Sequence, residues 1–156
     1  MTRKSAGILA FRRAEHVEVF LVHPGGPFWK NKDTHAWSIP KGEFEDEEPL
    51  AAARREFEEE TGQPIDGHFV PLEPLRQRSG KHIHAFAIES STPDAGAIKS
   101  NEFELEWPPG SGRINTYPEV DRAEWVALED VQARIHKGQW PLIEQLIDLF
   151  DLGRPA

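Results

Sequence analysis

The spacing of hydrophobic positions divides the chain into strands and helices. A small apolar run at residues 5–12 and an alternating run at 17–23 predict a hairpin with a turn at 13–16. Other period-two segments predict strands at residues 69–77, 81–89, 102–107 and 123–128. Helical spacing predicts helices at residues 49–61, 129–136 and 141–152. Strands mixed with helices around one central helix predict an α+β fold with layers packed on a sheet.

The segment between the first hairpin and the central helix is predicted to be mostly loop. Residues 24–35 contain a Pro-Gly-Gly-Pro stretch and a later polar run, which favours a loop. Residues 37–40 form a short extended segment, because Pro40 disfavours a helical conformation at the residue before it. Residues 41–48 are predicted to be an acidic loop that leads into the helix.

The helix predicted at residues 49–61 has strong local signals. Pro49 suits a first turn, three alanines follow, and Gly62 can close the carboxyl end. Its apolar stripe consists of Leu50, Ala53 and Phe57. We therefore expect this helix to pack one face on the sheet and to expose another.

Three glutamates on this helix share a face that is distinct from the apolar stripe. Glu56, Glu59 and Glu60 stand at positions i, i+3 and i+4, so their carboxylates are neighbours. Like charges at this spacing repel and do not stabilise a helix. A hard divalent cation reverses that balance, and oxygen-only ligands suit Mg²⁺ or Mn²⁺. A solvated acidic face is the alternative for three acids taken alone.

Composition is consistent with one globular domain that spans residues 1–156. The net charge of −9 and the absence of a Lys/Arg cluster give no signal for DNA or RNA binding. The chain contains no cysteine, which excludes disulfides and thiolate metal sites and fits the cytoplasmic location that we expect. The amino terminus does not resemble a signal peptide, and the apolar run at residues 6–11 is too short to cross a membrane.

Two stretches of the sequence together resemble the Nudix box. Residues 42–49 read GEFEDEEP and residues 55–62 read REFEEETG, and the second stretch matches the back half of the family pattern. Counting back from Arg55 by the family spacing places the first box glutamate at Glu47, which leaves the loop one residue short. Choosing Glu48 restores the loop but shortens the helical spacing. We favour Glu47, because a loop tolerates a deletion better than a helix. Gln63 at the final apolar position is a second departure.

The resemblance implies a fold and a chemistry. Residues 37–42 (WSIPKG) and 118–125 (PEV, four residues, W) are similar to segments of Nudix enzymes that act on nucleoside polyphosphates, including dinucleoside tetraphosphate hydrolases. We therefore expect an α/β/α sandwich with a mixed central sheet and the box helix packed on it. The implied reaction is metal-dependent hydrolysis of a phosphoanhydride bond in a substrate with a nucleoside diphosphate linked to another group.

The resemblance also assigns roles to the acidic residues. It implies that the three helix glutamates bind Mg²⁺ or Mn²⁺ and that a backbone carbonyl near Lys41 or Gly42 adds an oxygen ligand. Arg55 is expected to organise the glutamates by a charge-assisted pair, with Glu47 as the candidate partner. The general base is either a box glutamate or Glu119.

Four residues outside the acidic cluster are candidates for substrate binding. Lys41 is assigned to a phosphate contact, against the alternative of an exposed loop lysine. Trp37 could stack on a base, although core packing also suits it, and the same choice applies to Phe28 and Trp29. His84 could line the cleft or pack within its strand. Arg78 flanks a predicted turn, where a surface charge competes with a phosphate clamp.

The leading function is a metal-dependent pyrophosphohydrolase of a small-molecule nucleotide, either a dinucleoside polyphosphate or a nucleoside triphosphate. The alternative from a different class is a Nudix-fold module that senses nucleotides or binds a partner without hydrolysis. An RNA-decapping role is disfavoured by the lack of a basic patch. The oligomeric state is left open.

Overall fold

A seven-stranded mixed sheet forms the centre of the part of the chain that the structure, a computed structural model, describes: residues 3–153. The strands are β1 (Lys4–Arg13), β2 (Val17–Pro24), β3 (Lys41–Phe44), β4 (Val70–Pro71), β5 (Leu75–Arg76), β6 (His82–Glu89), β7 (Glu102–Glu106), β8 (Ile114–Pro118) and β9 (Val120–Ala127). The helices are α1 (Pro49–Thr61), α2 (Leu128–Arg134) and α3 (Trp140–Phe150), with a 3₁₀ turn at Lys137–Gln139.

Strand β1 organises the sheet by pairing with three other strands. One edge of β1 runs parallel to β6 along its length, and this pair makes the sheet mixed. The other edge is shared, because its first part pairs antiparallel with β3 and its last part pairs antiparallel with β2. Strand β9 extends the sheet beyond β2, and the short strands β4 and β5 lie on the far side of β6.

Helices cover both faces of the sheet, as the sequence pattern predicts. One hydrophobic cluster joins α1 to the sheet, with Phe57 beside Phe20 at a ring-centroid separation of 5.9 Å. A second cluster joins α2 and α3 to the opposite face through Val131, Leu142 and Leu146. The predicted α/β/α sandwich, with the box helix on a mixed sheet, is therefore confirmed.

Residues 38–44 insert between β1 and β2. The backbone of Ser38 exchanges hydrogen bonds with Val22 of β2 at 2.8 and 3.0 Å, and Pro40 accepts one from Ile8 of β1 at 3.1 Å. The chain then continues as β3, so the prediction that residues 41–48 are entirely loop is wrong for its first part. Strand formation here depends on β1 as a partner, which local sequence patterns do not reveal.

Most other predicted elements lie where the pattern places them. Helix α1 begins at Pro49 and ends at Thr61 as expected, and Gly62 closes it with φ 73° and a 2.7 Å hydrogen bond to Glu58. The strand predicted at residues 69–77 is interrupted. There, the Glu73 N–H donates to the Gln145 side chain of α3 at 2.7 Å. The next residue, Pro74, has no N–H to donate to a neighbouring strand.

Strands β7 and β8 form a separate two-stranded ribbon that the sequence analysis recognises only in part. Residues 102–107 are predicted as an edge strand, and β7 confirms this assignment. Its partner β8 was not predicted. The alternation of Ile114, Thr116 and Pro118 after a Pro-Pro-Gly turn is the signal that identifies it.

None of the helices formed by residues 3–153 has the length and apolar character needed to cross a membrane.

Truncation of Phe57 to alanine should destabilise the protein by about 3–5 kcal/mol, because its fully buried ring joins α1 to the sheet. The measurement is the free energy of unfolding from urea denaturation. Leu149→Ala is the control, since that side chain is 56 % exposed and its loss should change stability by less than about 0.5 kcal/mol. A Phe57→Ala variant as stable as this control would contradict the described packing.

Candidate metal and nucleotide site

Arg55 is the centre of a network that joins three glutamates. Its guanidinium donates to both carboxylate oxygens of Glu47, with the shortest contact, from Nη2, at 2.6 Å. The Nη1 group donates to Glu56 at 2.9 Å and to Glu59 at 3.1 Å. Glu48 is instead the residue that precedes the first turn of α1. The expected pair between Arg55 and Glu47 is therefore present. It corresponds to the alignment in which Glu47 is the first box glutamate and the spacing to Arg55 is that of the family.

This network changes the acidity of its members. The hydrogen bond with Glu47 is the largest contribution that raises the pKa of Arg55, and those with Glu59 and Glu56 add to it. The same bond from Arg55 lowers the pKa of Glu47. The guanidinium thus remains a permanent cation that fixes the positions of the helix carboxylates.

The backbone of β3 passes directly beneath the glutamate face of α1. The Lys41 N–H donates to Glu60 Oε1 at 3.3 Å. A side chain at Gly42 would collide with Glu56, because a Cβ built there lies 2.1 Å from the Glu56 carboxylate. Gly42 is therefore required by the close approach of backbone and carboxylate, and its neighbourhood is lined with oxygen atoms.

The surroundings of two helix glutamates, Glu56 and Glu60, raise their pKa values. Burial, followed by repulsion from Glu56, raises the pKa of Glu60 to about 8, and Glu119 adds to the effect. Burial, followed by repulsion from Glu59, also raises the pKa of Glu56. These carboxylates lie close enough to repel each other, so a bound cation at this position would favour their charged forms.

The donor set fits a hard divalent cation by its chemistry. Glu56, Glu59 and Glu60 offer only oxygen, and the Lys41–Gly42 backbone lies next to Glu56 and Glu60. Within residues 3–153, however, the side chains of His, Asp and Glu do not already converge as a cage of three or more ligands. Glu59 is instead turned toward Arg55. Binding of Mg²⁺ or Mn²⁺ would require these side chains to reorient.

Glu119 lies beside the carboxyl end of α1 because a loop holds it there. The Asn101 N–H donates to the Glu59 carbonyl at 2.8 Å, and the Glu119 N–H donates to the Asn101 carbonyl at 2.7 Å. Lys99 binds the Thr61 carbonyl in the same way at 2.8 Å. A depression of about 500 Å³ lies over this loop and α1 and is lined in part by Arg55, Glu59, Lys99 and Asn101. The sequence analysis missed Lys99 and Asn101, because their positions depend on docking across the chain.

Lys41 is a half-buried cation next to the glutamate face. Burial, followed by the nearby positive charge of Lys81, lowers its pKa, while Glu60 and Glu43 oppose the change. Two lysines brought close together favour an anion between or above them. The location is consistent with the phosphate contact expected of Lys41, and Lys81 is a second cation beside it.

Trp37 lies in the core, contrary to its assignment as a substrate-binding residue. Its side chain is only 1 % exposed, and its indole N–H donates to Asp33 at 2.7 Å. The guanidinium groups of Arg134 and Arg122 lie 4.5 and 5.2 Å from the ring centroid. A ring enclosed in this way cannot stack on a substrate, so core packing, the alternative considered for Trp37, is the arrangement found.

His84 and Arg78 have different surroundings. The His84 ring packs edge-on against Phe44 at 5.8 Å, and burial, followed by His82, lowers its pKa. It lies on the same side of the sheet as α1, since it neighbours Ala6 across the parallel pair. Arg78 is exposed in the turn before β6, and no hydrogen bond or ion pair within residues 3–153 fixes its side chain.

His23 is a buried histidine that connects the 24–35 loop to β9. His23 Nδ1 lies 2.8 Å from Asp121, and Nε2 lies 2.6 Å from the Lys32 carbonyl. Because one partner lies in β9 and the other in the 24–35 loop, the imidazole ring connects these two segments. In the same loop Phe28 is 56 % exposed and packs edge-on against Trp29.

Comparison with known proteins agrees with the fold and the box. A family model described as the NUDIX domain matches residues 1–146, and the chain therefore belongs to the Nudix family. No curated protein matches the chain in sequence.

Solved structures share the fold at low sequence identity. The Ap4A hydrolase of C. elegans, solved as a binary complex, is 19 % identical with a TM-score of 0.67, over 96 % of this chain and 98 % of that one. The NUDIX domain of Shewanella oneidensis NrtR, complexed with ADP ribose, is 18 % identical with a TM-score of 0.67, over 96 % and 89 %. The E. coli ORF135 protein is 23 % identical with a TM-score of 0.58, over 99 % and 96 %.

Replacement of Glu47 by glutamine should weaken Mn²⁺ binding about 10- to 100-fold, because Arg55 would lose the carboxylate that orients it toward Glu56 and Glu59. Glu48→Gln is the matched control, since this neighbouring glutamate makes no contact with Arg55. Isothermal titration with Mn²⁺ measures both variants. Equal affinities would show that the Arg55 network does not support the metal site.

Gly42→Ala should abolish Mn²⁺ binding while the protein stays folded, because the new methyl group would occupy the space of the Glu56 carboxylate. Gly96→Ala is the control: its nearest contact, Asp94 Oδ1, is 3.4 Å away, which is an ordinary distance. Circular dichroism checks the fold and electron paramagnetic resonance measures free Mn²⁺. Undiminished Mn²⁺ binding by Gly42→Ala would contradict the described approach of β3 to α1.

Proposed function

We propose that this chain, acting as a single domain, hydrolyses a phosphoanhydride bond in a substrate that contains a nucleoside diphosphate linked to another group. The observation that carries this proposal is the packing of the Glu56 and Glu60 carboxylates against the Lys41–Gly42 backbone, with Arg55 fixing the neighbouring glutamates. Such a site suits a divalent cation with phosphate oxygens bound to it. Membership of the Nudix family supports the same reaction class.

Glu56, Glu59 and Glu60 would hold Mg²⁺ or Mn²⁺, with the backbone carbonyl at Lys41 or Gly42 as a further ligand. A cation bound there neutralises phosphate oxygens and increases the acidity of bound water. The remaining steps belong to residues of the chain. Arg55 keeps the carboxylates oriented.

Hydrolysis also requires a proton acceptor and a phosphate contact. Glu60 and Glu119 are neighbours, and either can take the proton as water attacks a phosphorus atom and the anhydride bond breaks. The Lys41 ammonium, close to the glutamate face, would bind a phosphate oxygen and balance charge as the leaving group departs.

We favour a dinucleoside polyphosphate or a nucleoside triphosphate as the substrate. The segment at residues 37–42 is similar to that of enzymes acting on such compounds, and the fold neighbours include an Ap4A hydrolase. His84 is a candidate for the cleft wall, and Arg78 is a candidate for a distal phosphate. Because Trp37 is buried, its role in this proposal is to support the segment that ends in Gly42.

A second function is a nucleotide-sensing or partner-binding domain without hydrolysis. The shortened box loop and the inward turn of Glu59 toward Arg55 are the observations that favour it. A NUDIX domain of similar fold is complexed with ADP ribose. Hydrolysis and nucleotide sensing both require nucleotide binding, and turnover distinguishes them.

A substrate panel in ¹⁸O-labelled water should identify the hydrolysed anhydride and the attacked phosphorus. The panel contains nucleoside triphosphates, dinucleoside polyphosphates, sugar nucleotides and capped RNA, each with Mg²⁺ or Mn²⁺ and with chelator. Glu59→Gln should reduce turnover by at least about 100-fold. Glu58→Gln is the matched control, because Glu58 is an exposed residue on the same helix. Nucleotide binding with no cleavage of any compound would support the sensing function instead.

A further inference from the structure

The ribbon formed by β7 and β8 has two chemically different faces. Residues paired across an antiparallel ribbon lie on the same face, and successive residues alternate between faces. The pairing of Phe103 with Tyr117 and of Leu105 with Asn115 therefore defines one face. The half-exposed residues of this aromatic face are Phe103, Leu105, Trp107 and Tyr117. The opposite, acidic face carries Glu102, Glu104, Glu106 and Ile114.

The aromatic face has only partial cover from the rest of the described chain. Phe103 and Tyr117 pack with ring centroids 6.0 Å apart. Gly26 approaches Phe103 so closely that a Cβ there would lie 3.1 Å from the ring. A two-stranded ribbon is only marginally stable by itself. Half-exposed rings on its surface bury less apolar area than core residues do, so they contribute less to the free energy of folding. Their arrangement suits contact with another planar ring.

Both strands of the ribbon are fixed to the candidate metal and nucleotide site at the open end of the hairpin, where β7 begins and β8 ends. Asn101, two residues before Phe103, binds the Glu59 carbonyl, and Glu119, two residues after Tyr117, binds the Asn101 carbonyl. The Gly25 N–H donates to the Glu119 carbonyl at 2.9 Å, so the 24–35 loop joins the same point. Two extended residues span about 7 Å, a distance of the order that separates the phosphates of a nucleotide from its base.

The charge of the ribbon favours an uncharged occupant. Three glutamates on the opposite face and a net charge of −9 disfavour a polyanionic chain such as RNA. A nucleobase is planar and uncharged, and any of the bases can stack on an aromatic side chain. Because the open end of the ribbon adjoins the candidate site, a base attached to a bound phosphate is the occupant that both features recognise.

We propose that Phe103 and Tyr117 of the ribbon, next to the loop at Gly26, form a stacking site for a nucleobase of the substrate. The inference rests on the proposed function for the phosphate part of the ligand. It makes the ribbon a determinant of substrate choice, because compounds with the same phosphates but without a base would lose this contact.

The test uses 2-aminopurine riboside 5′-monophosphate, whose fluorescence is quenched on stacking and which has no anhydride bond to hydrolyse. Wild-type protein should quench the probe. Tyr117→Ala, and Tyr117→Leu, which keeps apolar bulk without a ring, should raise Kd about tenfold or more. Tyr117→Phe should keep the wild-type value. Ile114→Ala is the matched control on the acidic face of the same ribbon, where the side chain is 59 % exposed.

Two outcomes would overturn the inference, and both are separable from the hydrolase proposal. Absence of quenching, or equal Kd for wild type, Tyr117→Ala and Tyr117→Leu, removes the stacking site even if the substrate panel shows turnover. A dimer in sedimentation that Leu105→Glu converts to monomer would make the aromatic face a subunit interface instead. Conversely, Tyr117-dependent quenching without cleavage of any panel compound would retain the stacking site and refute hydrolysis.

Discussion

The close approach of residues 38–44 to both β1 and α1 is the constraint on which the site depends. This segment lies between β1 and β2, and two glycines permit the approach. A Cβ at Gly7 would lie 2.7 Å from that of Lys41, and a Cβ at Gly42 would lie 2.1 Å from the Glu56 carboxylate. Without this packing the glutamates of α1 would face solvent. With it, they face the backbone of β3, whose Lys41 N–H donates to Glu60.

Electrostatics then determine what the site can bind. Burial raises the pKa values of Glu56 and Glu60, and repulsion from Glu59 and from Glu56, respectively, adds to it, while Arg55 and Glu47 keep one permanent ion pair beside them. The resulting arrangement favours a cation, and a cation in turn favours phosphate, which the net charge of −9 would otherwise repel. An acidic composition would thus be compatible with an anionic ligand, because a bound cation would reverse the repulsion locally.

The ribbon and the 24–35 loop connect this centre to the periphery of the molecule. Asn101 and Glu119 fix the ribbon to the end of α1, and His23 fixes the loop to Asp121 near the start of β9. Both segments meet at the Gly25–Glu119 hydrogen bond. A ligand held by the glutamates would therefore lie next to the ribbon and the 24–35 loop. The side chains of these segments differ in character from those of the box, so they could set substrate preference without altering the chemistry.

Features of this protein that depend on local spacing can be predicted from the amino-acid sequence alone. Helix α1 with its bounds, the shared face of Glu56, Glu59 and Glu60, and the pairing of Arg55 with Glu47 follow from helical periodicity and the box. Long-range packing instead sets the burial of Trp37, the strand character of β3, the existence of β8 and the docking of Asn101 on α1. These features rest on contacts between residues far apart in the chain, and a local pattern of polar and apolar positions carries no record of which distant segment will supply the partner.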